Sequence, residues 1–184
     1  EKGWPYFEKI VYAIIPDDNT AFQVLSRGDL DFMSMPPDLF VRRANTPRFR
    51  EQFNRFAYYR PAYNYIGWNL RKPMFKDRET RLALAMLLDR ELLRDEIYYG
   101  QAVIISGNFM PGTPEHNAAL QPVLFDPDRA RALLAEAGWG DEDGNGILDR
   151  DGAPFHFDAA TTNQNPLAEK VLTIFKEELA RAGI

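Results

Sequence analysis

The 184-residue chain contains no cysteine. That excludes a disulfide framework, a cysteine-ligated metal and a thiol nucleophile together. Histidine is scarce: His116 and His156 are the whole supply. They share no local ligand spacing, so a zinc site would need them to meet in space with carboxylates. His156 falls in an alternating run and reads as ordinary sheet surface or a satisfied core histidine. The three serines, Ser26, Ser34 and Ser106, lie outside any Gly-x-Ser-x-Gly elbow. No pair of carboxylates is singled out by spacing for glycosidic chemistry. No apolar run reaches the ~20 residues of a membrane-spanning helix, and no signal-peptide pattern is seen. Basic residues are in deficit, 22 against 27 acidic, for a net charge of −5. A nucleic-acid surface would show the opposite balance.

What is present is apolar and aromatic. Hydrophobic residues make up 45% of the chain, enough for one good core or two small ones. The organising stretch runs from Tyr58 to Gly100. Tyr63 and Tyr65 alternate with Asn64, Ile66 and Trp68, a period of two that predicts a strand buried on at least one face. Pro73 ends it. Asp77 is placed to cap a helix that is apolar nearly all round and therefore interior. Asp89 caps a second helix, and Gly100 suits its left-handed close. The aromatics Tyr58, Tyr59, Tyr63, Tyr65 and Trp68 offer apolar area with polar handles, which suits a ligand cleft. For any single one, core packing is the more ordinary role.

Ahead of this stretch, Ile10–Ile15 is a β-branched run expected as a strand. Thr20 with Gln23 reads as a capping box, and Gly28 ends that helix. Leu30–Met33 is expected as a second strand. Residues 37–44 and 48–54 read as short helices. Pro61 stands between two extended runs. After Gly100, residues 106–123 form a long proline-bearing loop, read as a surface crossover or a functional segment. Asp126 with Pro127, and Asn165 with Pro166, are favoured helix starts. Phe155–Ala159 alternates as a strand, and Leu167, Val171, Phe175 and Leu179 form one helical stripe. Gly138 and Gly183 close the two helices.

The sharpest local motif is acidic. Asp141, Asp143, Asn145 and Asp149 occupy positions one, three, five and nine of an EF-hand-like calcium loop, with Gly146 at six and Leu148 at eight. The departure is at position twelve, where Gly152 replaces the bidentate glutamate. The alternative is a surface turn rich in Asp-Gly and Asn-Gly. No other cofactor is implied.

Three segments in register carry a resemblance. The run from Asn69 to Leu93, with Tyr99 and Gly100 after it, closely resembles the signature region of the family 5 extracellular solute-binding proteins, the peptide-binding subunits of bacterial ABC importers. Leu25–Asp31 resembles that family's Gly-x-x-Asp element, and Phe125–Trp139 its next helix. The resemblance spans roughly residues 10–184. It implies a mixed α/β (α+β) chain with a periplasmic-binding-protein type II-like fold. Residues 1–61 would be part of lobe I. Residues 62–184 would begin the C-terminal lobe (lobe III), with a hinge near residues 60–64. Members are well over twice this length, so an internal piece is implied, carrying one wall of the site and binding weakly alone. The implied function is capture of a peptide or related small solute between two lobes that close by hinge motion. Delivery to ABC permease subunits would follow, outside the cytoplasm, in the periplasm or lipid-anchored. Met33, Ser34 and Met35, with Trp68 and Asn69, would approach the cleft. Two alternatives stand beside this: an enzyme whose catalytic residues lie elsewhere, and a calcium-stabilised interaction module.

Overall fold

Short-range signals decide where the helices start. In the computed structural model, which describes Gly3, residues 6–162 and residues 165–184, Asp89, Asp126 and Asn165 all cap as expected. Their side chains accept the amides of Leu92, Arg129 and Ala168. Each satisfies a donor that the helix itself leaves without a partner. The chain divides into two compact units, residues 1–57 and 58–184.

In the first unit, helix α1 (Asp18–Arg27) buries Ala21, Phe22 and Leu25. The expected capping box is displaced. Asp17 is the N-cap, and the Thr20 amide donates to its Oδ1 at 2.7 Å while the Thr20 hydroxyl donates to the same atom at 2.6 Å. A carboxylate can accept both bonds at once, so Asp17 outcompetes Thr20 as the cap. Gly28 closes α1 at φ +88°. The expected 37–44 helix contains a π-helical turn, Leu39–Arg43. Helix α2 (Pro47–Gln52) is capped by Thr46. Phe22 stacks on Phe49 at 5.4 Å, and Phe49 on Phe53 at 4.7 Å. With Leu25, Leu39 and Ala44 they form this unit's core.

The second unit holds the larger core. A short 3₁₀ turn, Pro73–Phe75, leads into α3 (Arg78–Met86). Every residue from Thr80 to Arg90 is buried or half-buried, as an interior segment requires. Helix α4 (Arg90–Leu92) continues as a π-helical turn, Leu93–Ile97, which packs on α6 (Pro166–Arg181). Helix α5 (Pro127–Glu136) packs on α3. Leu84, Leu87, Leu134 and Phe155 are sealed from solvent between them. Gly138 closes α5 at φ +84°, and Trp139 folds back, donating its amide to the Leu134 carbonyl and stacking on Phe155 at 4.1 Å.

The expected strands are corrected. Among the described residues the named sheet is one antiparallel hairpin, β1 (Asp149–Arg150) and β2 (Ala153–Pro154), joined through Asp151 and Gly152 at φ +55° and +72°. Two positive angles suit a tight hairpin turn. Ile10–Ile15, Leu30–Met33, the Tyr63–Trp68 run and Phe155–Ala159 belong to no ladder. The alternation itself is real. Ile66, Trp68, Phe155 and Phe157 pack on the core while Tyr65 and His156 point outward. Alternation reports which face is buried; a strand also needs a hydrogen-bonded neighbour, and no described segment supplies one here.

Asp77 is a second correction. It occupies the N-cap position of α3 but makes no capping bond. Its Oδ2 instead accepts from Arg150 Nη1 at 2.6 Å. That guanidinium also donates to the Ala137 carbonyl and lies 4.3 Å from the Trp139 ring centre. A planar cation with several donors outcompetes a local amide for the carboxylate.

Candidate functional site

The acidic loop gathers its side chains as its spacing predicts. Asp141 Oδ1 accepts the Gly144 amide at 2.8 Å, and Oδ2 accepts the Gly146 amide at 3.0 Å. Asp143 accepts the Asn145 amide at 3.1 Å and its Nδ2 at 2.9 Å. Asn145 Oδ1 accepts the Ile147 amide at 2.7 Å. These short-range bonds coil the loop, so that carboxylate oxygens of Asp141, Asp143 and Asp149 lie within 4.8 Å of one another. The turn alternative is also realised, one step later, as the β1–β2 hairpin. The loop is held from behind: the Leu148 amide donates to the Gly183 carbonyl at 2.7 Å. Asp149 differs from its fellows. It is buried, and among the described residues its Oδ2 has no hydrogen-bond partner.

The expected cleft residues fall in both units. In the first, Met33 and Met35 are half-buried against the Phe22–Phe49 core, and Ser34 between them is exposed. In the second, Trp68 is anchored in the core. It lies 5.1 Å from Phe75 and meets Phe157 edge-on at 5.9 Å. Asn69 beside it is exposed, and its Oδ1 accepts the Arg71 amide at 3.1 Å. Each polar residue is therefore held by apolar neighbours rooted in a core.

Packing statistics misjudge the tyrosines. Tyr58, Tyr59, Tyr63 and Tyr65 are exposed, Tyr65 at 79%. Tyr63 and Tyr65 rings lie 5.9 Å apart, and Asn64 Nδ2 donates to the Tyr98 hydroxyl at 2.9 Å. The odd members of the alternating run point out because Ile66 and Trp68 take the inward face; that parity was the available signal. Farther along, Arg90 Nη1 donates to the Val123 carbonyl at 2.8 Å and pins the end of the long loop. Burial pushes the Arg90 guanidinium below its ordinary value.

Comparison with known proteins identifies the family. The family model described as "Bacterial extracellular solute-binding proteins, family 5 Middle" matches residues 1–184. The chain is 32% identical to the oligopeptide-binding protein AppA of Bacillus subtilis over 100% of its length and 33% of that protein's. It is 26% identical to the nickel-binding periplasmic protein of Escherichia coli, over 97% of this chain and 34% of that one. The solved structure of AppA with a nonapeptide superposes with a TM-score of 0.73 at 31% identity, covering 93% of this chain and 34% of AppA. The chain thus spans about a third of the length of the curated relatives it matches. No described helix is long and apolar enough to cross a membrane. With three sequence elements in register, and a fold and a family model that match along the chain, this protein belongs to the family 5 bacterial extracellular solute-binding proteins.

Proposed function

We propose that the chain is part of the substrate-binding subunit of an ABC importer that captures peptides, or a related small solute, outside the cytoplasm and delivers them to a membrane permease. Its work is capture without chemical change to the ligand. The observation that carries this reading is the 32% identity along the whole chain to a protein that binds oligopeptides. Residues 1–61 are assigned to lobe I and residues 62–184 to the first part of the C-terminal lobe.

The exposed side chains suit such a ligand. An extended peptide exposes a row of main-chain donors and acceptors, which side-chain and backbone groups can satisfy whatever the peptide's sequence. Ser34 and Asn69 are exposed polar groups beside anchored apolar residues, Met33 and Met35 for one and Trp68 for the other. The exposed tyrosines add broad apolar area with hydroxyls that water can bridge to a ligand.

Calorimetric titration of the intact protein with peptides of graded length tests the reading. Saturable binding is expected, with the peptide recovered uncleaved. Ser34→Ala and Asn69→Ala should each weaken binding several-fold, since one hydrogen bond is worth about 0.5–1.5 kcal/mol. Cleaved peptide would replace capture by catalysis. Binding of metal chelates, with no affinity for any peptide, would replace the ligand class.

A further inference from the structure

We propose that the loop from Asp141 to Asp149 is a calcium site, with Asp141, Asp143, Asn145 and Asp149 as side-chain ligands. The inference is independent of the transport reading. Exposed acidic residues often cluster without a cation, so the spacing alone is insufficient. The deciding group is Asp149. It is 8% exposed, and its Oδ2 has no hydrogen-bond partner among the described residues. A carboxylate oxygen removed from water and left without a hydrogen bond is disfavoured unless a cation or donor compensates it. The natural donor is not available: the neighbouring Arg150 is turned away to Asp77, the Ala137 carbonyl and the Trp139 ring. One carboxylate oxygen each of Asp149, Asp141 and Asp143 lie within 4.8 Å of one another, the last two residues being exposed. Three like charges at that separation repel one another, and a divalent cation among them turns the repulsion into attraction.

The oxygens are also prepared for it. The amides of Gly144, Gly146 and Asn145 orient the carboxylates of Asp141 and Asp143. Each carboxylate oxygen keeps a lone pair after accepting one bond, as does Asn145 Oδ1 after accepting from Ile147. In this loop pattern position seven adds a main-chain carbonyl, here that of Ile147, and water completes the shell. An all-oxygen set of this size fits calcium, which tolerates irregular coordination; magnesium demands a near-ideal octahedron. Without a bidentate glutamate at Gly152 the site should be weak, with Kd about 10⁻⁴–10⁻³ M, the range of extracellular calcium modules.

The test is thermal unfolding of the intact protein in millimolar calcium chloride, in magnesium chloride and in chelator, with one-site calorimetry. Calcium should raise the midpoint by about 1 °C or more relative to chelator, rising with calcium concentration, and magnesium by clearly less. Asp149→Asn should abolish the calcium shift without lowering the midpoint in chelator, because an unpaired buried charge is removed. Asp143→Asn, at an exposed position, gives the same reading if the first variant fails to fold. Asp151→Asn, outside the cluster, should keep the full shift. No calcium shift in the unmodified protein, or an equal shift in Asp143→Asn, would overturn the assignment.

Discussion

Trp139 donates its indole N–H to Thr80 Oγ1 at 3.2 Å, a buried bond between residues 59 positions apart. It ties the first turn of α3 to the chain leaving α5. Thr80 has no solvent exposure and Trp139 has 5%, so water cannot replace either partner. Thr80→Val preserves the shape and leaves the indole donor unsatisfied. The expected loss is about 1–3 kcal/mol, read from urea unfolding of the intact protein. Thr80→Ser keeps the oxygen and should lose less. Equal stability of Thr80→Val and the unmodified protein would show that the bond contributes nothing.

Gly183 couples the end of α6 to the acidic loop. Its φ is +82°, and a Cβ built there would stand 3.0 Å from the Gly146 carbonyl oxygen and 3.2 Å from Leu148 Cγ. Gly183→Ala therefore meets both backbone strain and a steric clash, and should cost more than about 1 kcal/mol. Gly28→Ala is the control. Its φ is +88°, but nothing lies within 4 Å of the added carbon, so the strain acts alone and the loss should be smaller. The comparison by chemical denaturation separates clash from strain.

The cap of α1 carries a pH dependence. Hydrogen bonds from the Thr20 hydroxyl and then the Thr20 amide hold the Asp17 carboxyl below its ordinary value. A depressed folded-state pKa means the cap's contribution is fully present above the ordinary aspartate range and is lost as pH falls through the folded value. The stability gap between the unmodified protein and Asp17→Ala should therefore be constant near neutrality and close in strong acid. A gap that widened on acidification would reverse the sign of this account.

The parts of the fold legible in the sequence are those that local chemistry decides. Asp126 with Pro127, Asn165 with Pro166, and Asp89 mark helix starts because the cap and the amide it satisfies lie three residues apart. The three carboxylates of the acidic cluster lie within nine residues, so their convergence was legible too. Asp17 and Thr20 show the limit even there: two candidate caps compete, and the carboxylate's capacity for two bonds decides. That the alternating runs form no ladder was not legible. Ile66 and Trp68 announce an inward face, but pairing depends on a distant neighbour that local pattern does not encode. Asp77 marks the start of α3 as expected, but the partner of its carboxylate was not legible, since Arg150 is 73 residues away. The burial of Asp149, which turns an acidic turn into a candidate cation site, likewise depends on the packed core behind it.

The most direct test of solute capture is native mass spectrometry of the intact protein, purified without refolding. Co-purified peptide should add mass, as a heterogeneous envelope that collapses to one species when a single tight-binding peptide is supplied in excess. A bare protein mass that no peptide in excess can shift would contradict it.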